Sequence, residues 1–150
     1  MRMFPDESAI MKLSPPVCVA PVANDCGEAA LWLAEEGAVY WTDVSGFLVQ
    51  RLTVATGAVR FWMFEEPCVA LIPTDRSGVL LLALGSRLVE WQPETGEMRD
   101  HGFGLEGWPD VRLNDGRAGP GGELWIGSMA NNVGVDGLHG PQPTTDARAR

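Results

Sequence analysis

The sequence predicts an all-β chain made of repeated four-stranded units, and three observations support this fold class. Short runs rich in Val, Leu, Trp, Tyr and Phe alternate with turn clusters of hairpin length. Two anchors recur: Thr56-Gly57 returns as Thr95-Gly96, 39 residues on, and Val39-Tyr40-Trp41 returns as Val79-Leu80-Leu81, 40 residues on. No long apolar stripe of helical period competes with this pattern. Four strands repeating every 40 residues or so are typical of a β-propeller blade.

Two complete blades follow from this pattern. The first has predicted strands at Ala30–Leu33, Ala38–Asp43, Leu48–Thr53 and Val59–Phe64. The second has predicted strands at Val69–Pro73, Val79–Ala83, Leu88–Trp91 and Glu97–Asp100. The tryptophans on predicted strands are assigned to blade packing, and these are Trp32, Trp41, Trp62, Trp91 and Trp125.

A third unit begins at Arg117, turns at 119–122 and continues as a strand over Glu123–Gly127. The strand pattern ends after Met129. We therefore expect a flexible extension over residues 1–16, propeller blades over 17–130 and a disordered tail over 131–150.

About two and a half blades cannot close a ring, because propellers use roughly four to eight. The chain is expected to be incomplete: a fragment, a truncated or frameshifted product, or a unit that self-associates through its open blade edges.

Composition narrows the class of partner. Eleven Lys and Arg against twenty Asp and Glu give a net charge of −9, which argues against nucleic acid. No apolar run approaches the eighteen or so residues of a membrane span, and the N-terminus lacks the features of a secretory signal. We expect a cytoplasmic protein. Cys18, Cys26 and Cys68 lack metal-binding spacing and are predicted to be free thiols.

The candidate site lies at 112–117, which reads Arg-Leu-Asn-Asp-Gly-Arg and precedes the apolar strand. Asn-Asp-Gly predicts a tight turn, since Asn and Asp tolerate positive φ and Gly adopts it freely. A guanidinium, an amide and a carboxylate would converge there. Taken alone, such a motif is more often a plain turn. A second polar position, Glu28, lies far upstream and strengthens the case for a site.

Five segments then carry a family resemblance. They are Gly27-Glu28-Ala29-Ala30-Leu31-Trp32, Gly37-Ala38-Val39-Tyr40-Trp41-Thr42-Asp43-Val44, Arg51-Leu52 with Ala55-Thr56-Gly57, Arg112-Leu113-Asn114-Asp115-Gly116-Arg117 and Leu124-Trp125-Ile126-Gly127-Ser128-Met129. In order and spacing they resemble the first part of regucalcin-like proteins, of the senescence-marker protein and gluconolactonase family. The resemblance covers roughly residues 17 to 130.

The resemblance implies a six-bladed propeller that hydrolyses sugar lactones with a divalent cation in its central channel. The cation would be calcium or zinc, with magnesium or manganese as alternatives. By position, Glu28 matches a metal-ligand carboxylate. Arg112 and Asn114 match a substrate-contacting pair, and Asp115 would support their turn. A cation would polarise the lactone carbonyl and activate water.

Departures from the family weaken this assignment. Asn131-Asn132 stand where many members have an acidic residue that touches substrate. The family's remaining metal ligands, including the expected general base, would lie beyond residue 150. One carboxylate does not make a tight divalent site. We therefore expect little lactonase activity from this chain alone. The alternative is a non-catalytic propeller fragment or protein-interaction module.

Overall fold

The computed structural model describes residues 14–134, which form ten strands in three antiparallel sheets. The strands are β1 (Gly27–Leu33), β2 (Ala38–Asp43), β3 (Leu48–Thr53), β4 (Ala58–Met63), β5 (Cys68–Pro73), β6 (Leu80–Leu84), β7 (Arg87–Trp91), β8 (Met98–Gly104), β9 (Val111–Ala118) and β10 (Leu124–Ala130). No helix in this stretch is long and apolar enough to cross a membrane. Most of the predicted extension, and the predicted tail from residue 135 on, lie outside the described residues.

The sheets follow the chain. Strands β1 to β4 pair in sequence order as the first blade, β5 to β8 as the second, and β9 pairs with β10 in a third unit. This confirms the repeat that the sequence predicts. Strand β5 packs against both β1 and β9, so the first strand of each sheet lies beside the first strand of the next.

Two hydrophobic clusters fill the spaces between the sheets. The cluster between the first and second blades contains Leu33, Ala38, Tyr40, Val49, Cys68, Leu71, Leu80, Leu82, Leu84, Val89 and Trp91. Aromatic edges close it, with the Trp91 ring 5.0 Å from Trp62 and 5.5 Å from Phe64 between centroids. The cluster between the second blade and the third unit contains Val44, Val69, Ala70, Ile72, Ala83, Leu88, Leu113 and Val133. The second blade is therefore covered on both faces.

The outer blade faces remain open. Trp32, Phe61 and Met63 of the first blade are 54%, 69% and 75% exposed, and Trp125 of the third unit is 70% exposed. The packing role predicted for the tryptophans holds for Trp91, which is 2% exposed. It is wrong for Trp32 and Trp125 in this stretch of chain, because nothing among residues 14–134 covers their faces.

Each first strand has one residue more than the partner segment it pairs with. In β1 the register shifts between Glu28 and Leu31, and Ala29 adopts φ 52°. In β5 it shifts between Cys68 and Ala70. In β9 it shifts opposite Ile126 and Gly127, where Asp115 adopts φ 44°. These are β-bulges, which twist a strand and re-aim the side chains beside them.

Two boundaries of the third unit differ from the prediction. Its first strand is β9, beginning at Val111 rather than at Arg117, so the predicted tight turn is wrong. The positive φ that Asn-Asp-Gly favours is expressed at Asp115 as a bulge within a strand. The chain also continues in contact beyond residue 130, because Val133 is 5% exposed and packs in the second cluster.

Candidate functional site

Arg112 lies on β9 with its side chain buried, at 5% exposure. The strand is fixed against the second blade by the Leu113 N–H, which donates to the Gly85 carbonyl at 2.8 Å. The Arg112 Nη1 group donates to Leu113 O at 2.9 Å and to Asn114 Oδ1 at 3.0 Å. The structure therefore joins the two predicted substrate-contacting residues directly. A buried guanidinium needs such acceptors, because an unpaired buried charge is costly.

Asn132 holds the other side of the same guanidinium. Its Oδ1 accepts from Arg112 Nε at 3.3 Å and from Nη2 at 3.1 Å. Burial lowers the pKa of Arg112, and the nearby Glu28 carboxylate opposes that shift. The acceptor on this side of Arg112 is therefore a neutral amide from the segment after β10. The sequence marked Asn132 only as a departure from the family pattern, and its contact with Arg112 depends on the path of the chain after β10.

Glu28 lies at the start of β1, and its side chain is exposed. Its backbone is tethered by the Thr42 hydroxyl, which donates to the Glu28 carbonyl at 3.3 Å. The positive φ of Ala29 follows at once, as the positive φ of Asp115 follows Asn114. Both predicted polar site positions therefore sit immediately before a bulge. Bulges are common beside active sites because they redirect a side chain without ending the sheet.

The charges of Glu28 and Arg112 influence each other's surroundings. Burial raises the pKa of the Cys26 thiol, and the Glu28 carboxylate raises it further through its charge and a hydrogen bond. The thiol lies 3.7 Å from Glu28 Oε1. Arg112 opposes this shift. The charge of Glu28, on β1 of the first blade, thus acts on Arg112, on β9 of the third unit. As predicted, Cys18, Cys26 and Cys68 are free thiols.

Asp43, which sequence reasoning left without a role, organises the segment that leads into β1. Its Oδ2 accepts from the Asp25 N–H at 3.1 Å and its Oδ1 from the Cys26 N–H at 3.0 Å. Oδ1 also accepts from the Gly46 N–H in the β2–β3 turn at 3.2 Å. Burial disfavours the charged form, but these hydrogen bonds lower the pKa of Asp43 below its usual value. The Ser45-Gly46 pair two residues on predicts only the β2–β3 turn and carries no sign of these contacts.

The donors suit a hard cation in type but not in number. Calcium takes six to eight oxygen ligands or so, and Glu28 supplies a carboxylate. Within residues 14–134, no group of three His, Cys, Asp or Glu side chains is placed to hold a metal ion. These residues do not complete a cation site by themselves.

Comparison with known proteins finds a matching family model and several relatives. Residues 26–140 match the model of the SMP-30/gluconolactonase/LRE-like region. The chain is 25% identical over 125 residues to regucalcin from Danio rerio, covering 79% of this chain and 40% of that protein. It is 29% identical over 120 residues to 6-deoxy-6-sulfogluconolactonase from Pseudomonas putida, covering 75% of this chain and 38% of that protein.

A solved structure shows the same architecture. The calcium-binding protein regucalcin from Agrobacterium tumefaciens superposes with a TM-score of 0.66 at 27% identity, over 73% of this chain and 37% of that one. The chain thus spans about two fifths of the length of the proteins it matches. The all-β architecture, the partial propeller and the family resemblance of the sequence are confirmed. The chain belongs to the SMP-30/gluconolactonase/LRE-like family.

Proposed function

We propose that this chain forms one wall of the active site of a sugar-lactone hydrolase. Relatives that act on lactones support the reaction class. The observation that carries the proposal is that Arg112 holds Asn114 by a hydrogen bond and lies within the electrostatic influence of Glu28. Three side chains from the first strands of two different sheets thus share one neighbourhood. A small ligand placed there would meet an amide and a carboxylate in the field of a buried cation.

The chemistry suits a polyhydroxylated ester. A lactone offers hydroxyl groups, a ring oxygen and a carbonyl oxygen, and its hydrolysis develops negative charge on the carbonyl oxygen. Asn114 both donates and accepts hydrogen bonds, as sugar hydroxyls do. Arg112 is mostly engaged with protein oxygens, so its role is to fix Asn114 and to supply positive charge. Its positive field would favour the developing oxyanion.

Glu28 is proposed as one ligand of a divalent cation. Its exposed carboxylate on an inner strand is the donor type that calcium prefers, and the structural relative is named as calcium-binding. Zinc, magnesium and manganese stay as alternatives. The general base and the remaining ligands are proposed to come from residues other than 14–134. A cytoplasmic location likewise stays a prediction.

The second candidate function is a non-catalytic propeller segment that buries its outer faces by self-association. The exposed Trp32, Phe61, Met63 and Trp125 favour it, since large apolar patches on a protein surface mark interaction sites. In that case Glu28 and Asn114 only shape the strands that carry them.

Titration of the full 150-residue chain with calcium and manganese, by calorimetry, separates the two candidates. Proton release from gluconolactone is followed in parallel. The Glu28→Gln variant tests the ligand, and Glu35→Gln, an exposed carboxylate just beyond the other end of β1, is the matched control. Cation binding that Glu28→Gln weakens and Glu35→Gln leaves intact supports the lactonase site. Equal binding in the two variants contradicts it. Concentration-dependent sedimentation without cation binding supports the second candidate.

A further inference from the structure

Asp43 was not among the predicted site residues, yet its carboxylate holds together the part of the first blade that lies just before Glu28. Asp43 ends β2 and pairs across the sheet with Gly27, the residue before Glu28. It is 5% exposed. Such burial of a carboxylate is unusual unless its oxygens are satisfied by hydrogen bonds. Here the oxygens are satisfied, and most of the donors belong to the segment that leads into Glu28.

The hydrogen-bond donors come from two segments of the chain. Asn24 donates through Nδ2 to Asp43 Oδ2 at 3.3 Å, and the adjacent backbone N–H groups of Asp25 and Cys26 donate at 3.1 and 3.0 Å. Asn24 is itself held, because its Oδ1 accepts from Trp41 Nε1 at 2.9 Å. The Gly46 N–H, in the β2–β3 turn, donates at 3.2 Å to Oδ1, the oxygen that also accepts from Cys26. The carboxylate thus clamps residues 24–26 to the β2–β3 turn.

The fit around this carboxylate is close. A Cβ atom added at Gly46 would lie 2.9 Å from Asp43 Oδ2, closer than real Cβ contacts allow. The Cys26 carbonyl accepts from the Val44 N–H at 2.9 Å, which ties the same segment to the sheet by its backbone. Glu28 follows two residues later and is followed by the bulge at Ala29. A bulge leaves its extra residue unpaired and disrupts the ladder locally, so contacts outside the ladder help to hold Glu28 in place.

We propose that Asp43 is a positioning residue for Glu28: it fixes the lead-in to β1 so that the Glu28 carboxylate is held beside Cys26. This inference rests on the proposed role of Glu28 in the site and extends it to a residue outside it. Residues that orient the ligands of a metal through hydrogen bonds act in the same way in other sites, and changing them typically weakens metal affinity by roughly 10 to 100-fold.

The second blade offers a matched control. Glu66 precedes β5 and accepts from the Ser86 N–H at 2.8 Å and the Ser86 hydroxyl at 2.6 Å in the β6–β7 turn. It also lies 3.2 Å from Arg87 Nε. The same connection between a strand lead-in and a turn therefore exists where the first strand carries no polar site residue. Glu66→Gln disturbs that tie without touching Glu28.

The test uses the reactivity of Cys26 as a reporter of Glu28, because the two side chains are 3.7 Å apart. In the full chain with Cys18→Ser, and with Cys68 buried at 0% exposure, alkylation by iodoacetamide reports on Cys26. Glu28→Gln is expected to accelerate this alkylation, since a neighbouring carboxylate disfavours the thiolate. In each background, the rate with Glu28→Gln is compared with the rate with Glu28 intact. The direct influence of Asp43 on the thiol is the same in both proteins of such a pair, so it cancels from the comparison.

If Asp43 positions Glu28, the acceleration caused by Glu28→Gln is lost in the Asp43→Asn background and retained in the Glu66→Gln background. Equal acceleration in both backgrounds overturns the proposal. Gly46→Ala gives a second route, because it keeps the Asp43 charge but crowds its Oδ2, and it too should diminish the acceleration. If Asp43→Asn does not fold by circular dichroism, Gly46→Ala decides, and a full acceleration there overturns the proposal.

This measurement needs no cation. Failure of Glu28 to bind calcium would contradict the proposed function and leave the alkylation result standing. A chain that binds calcium through Glu28 but shows full acceleration in Asp43→Asn would contradict only the positioning role. In a chain that does bind, Asp43→Asn should weaken calcium affinity about tenfold, the low end of the range for such residues.

Discussion

Strands β1 and β5 occupy the same place in successive blades, yet they differ in burial and in polarity. In β5, five of six residues are buried, and the strand is apolar throughout. In β1, exposed and half-buried residues alternate, and the strand opens on an exposed carboxylate. Strand β5 is flanked by β1 and β9, whereas the open face of β1 meets no other sheet within residues 14–134. Burial on both faces turns an alternating pattern into a continuous apolar run.

The bulges show the same contrast. All three first strands have an extra residue, but only in β1 and β9 does the irregularity bring a non-glycine residue into positive φ. Those are the strands that carry Glu28 and Asn114. Strained backbone persists where surrounding structure determines it, and it is concentrated at functional sites. The middle blade is therefore built for packing, while its two neighbours carry polar groups on a less regular backbone.

The largest expected effect tests the packing side of this contrast. Leu71 of β5 and Leu31 of β1 occupy matching positions, two residues before the ends of their strands, and of the two only Leu71 is buried. Leu71→Ala should lower the free energy of unfolding by about 2 to 5 kcal/mol, because a cavity remains in the cluster. Leu31→Ala should cost less than about 2 kcal/mol. Urea denaturation of both variants gives the comparison, and equal losses would contradict the assignment of β5 as the packing centre.

The next effect concerns the polar side. Arg112→Lys should lower the free energy of unfolding by about 1 to 3 kcal/mol, because an ammonium cannot reproduce the contacts of the guanidinium with Asn114 and Asn132 at once. Arg99→Lys, on the exposed strand β8, is the control and should change it by less than about 0.5 kcal/mol. Urea denaturation again provides the measurement. Matching losses would mean that the contacts of Arg112 contribute little.

A smaller effect is expected on acidification. The pKa of Asp43 is lowered by hydrogen bonding in the folded chain, so its contribution to stability is complete above the unfolded value of about 4. That contribution is lost as the pH falls through the folded value. Between about pH 5 and pH 2, the melting temperature of Asp43→Asn should therefore fall by less than that of the unmodified chain. Asp75→Asn, in the exposed β5–β6 turn, should leave it unchanged. If the melting temperatures of the unmodified chain, Asp43→Asn and Asp75→Asn depend on pH in the same way, Asp43 does not contribute to the acid sensitivity.

The smallest effect tests the bulge itself. Ala29→Gly should raise the free energy of unfolding by up to about 1 kcal/mol, because glycine adopts positive φ without the penalty that a Cβ atom brings. Val69→Gly, at the corresponding irregularity in β5, should be destabilising, since Val69 is buried and has no positive φ. If Ala29→Gly raises and Val69→Gly lowers the stability measured by thermal unfolding, the β1 bulge is strained and the β5 bulge is not. The same sign would mean that the β1 backbone is not strained.

Much of the fold could be predicted from the sequence, because the same order of strands and turns recurs along the chain. The anchors Thr56-Gly57 and Thr95-Gly96 both fall in the turn between the third and fourth strands of a blade. The start of the third unit was predicted wrongly because Asn-Asp-Gly has the same conformational preference in a turn and in a bulge. Only strand pairing tells the two apart.

The site could be predicted only in part. Glu28, Arg112 and Asn114 are identified by resemblance, and the structure joins Arg112 to Asn114. The roles of Asn132 and Asp43 depend on contacts across 20 and 17 residues of chain, respectively, and no local pattern encodes them. The expected use of Trp32 and Trp125 in packing failed for a related reason. An apolar residue on a strand does not reveal whether another sheet lies over it.

The extra residue in each first strand has a consequence for protein engineering. A polar head group cannot be transplanted from one blade to another by a single substitution, because its aim is set by the residue that follows it. Copying Glu28 into β5 would require the pair Glu-Ala in place of Cys68-Val69, together with room for the new carboxylate at a position that is now 0% exposed. The unit of exchange in this fold is therefore a dipeptide with its backbone geometry, and a library randomised one position at a time would miss it.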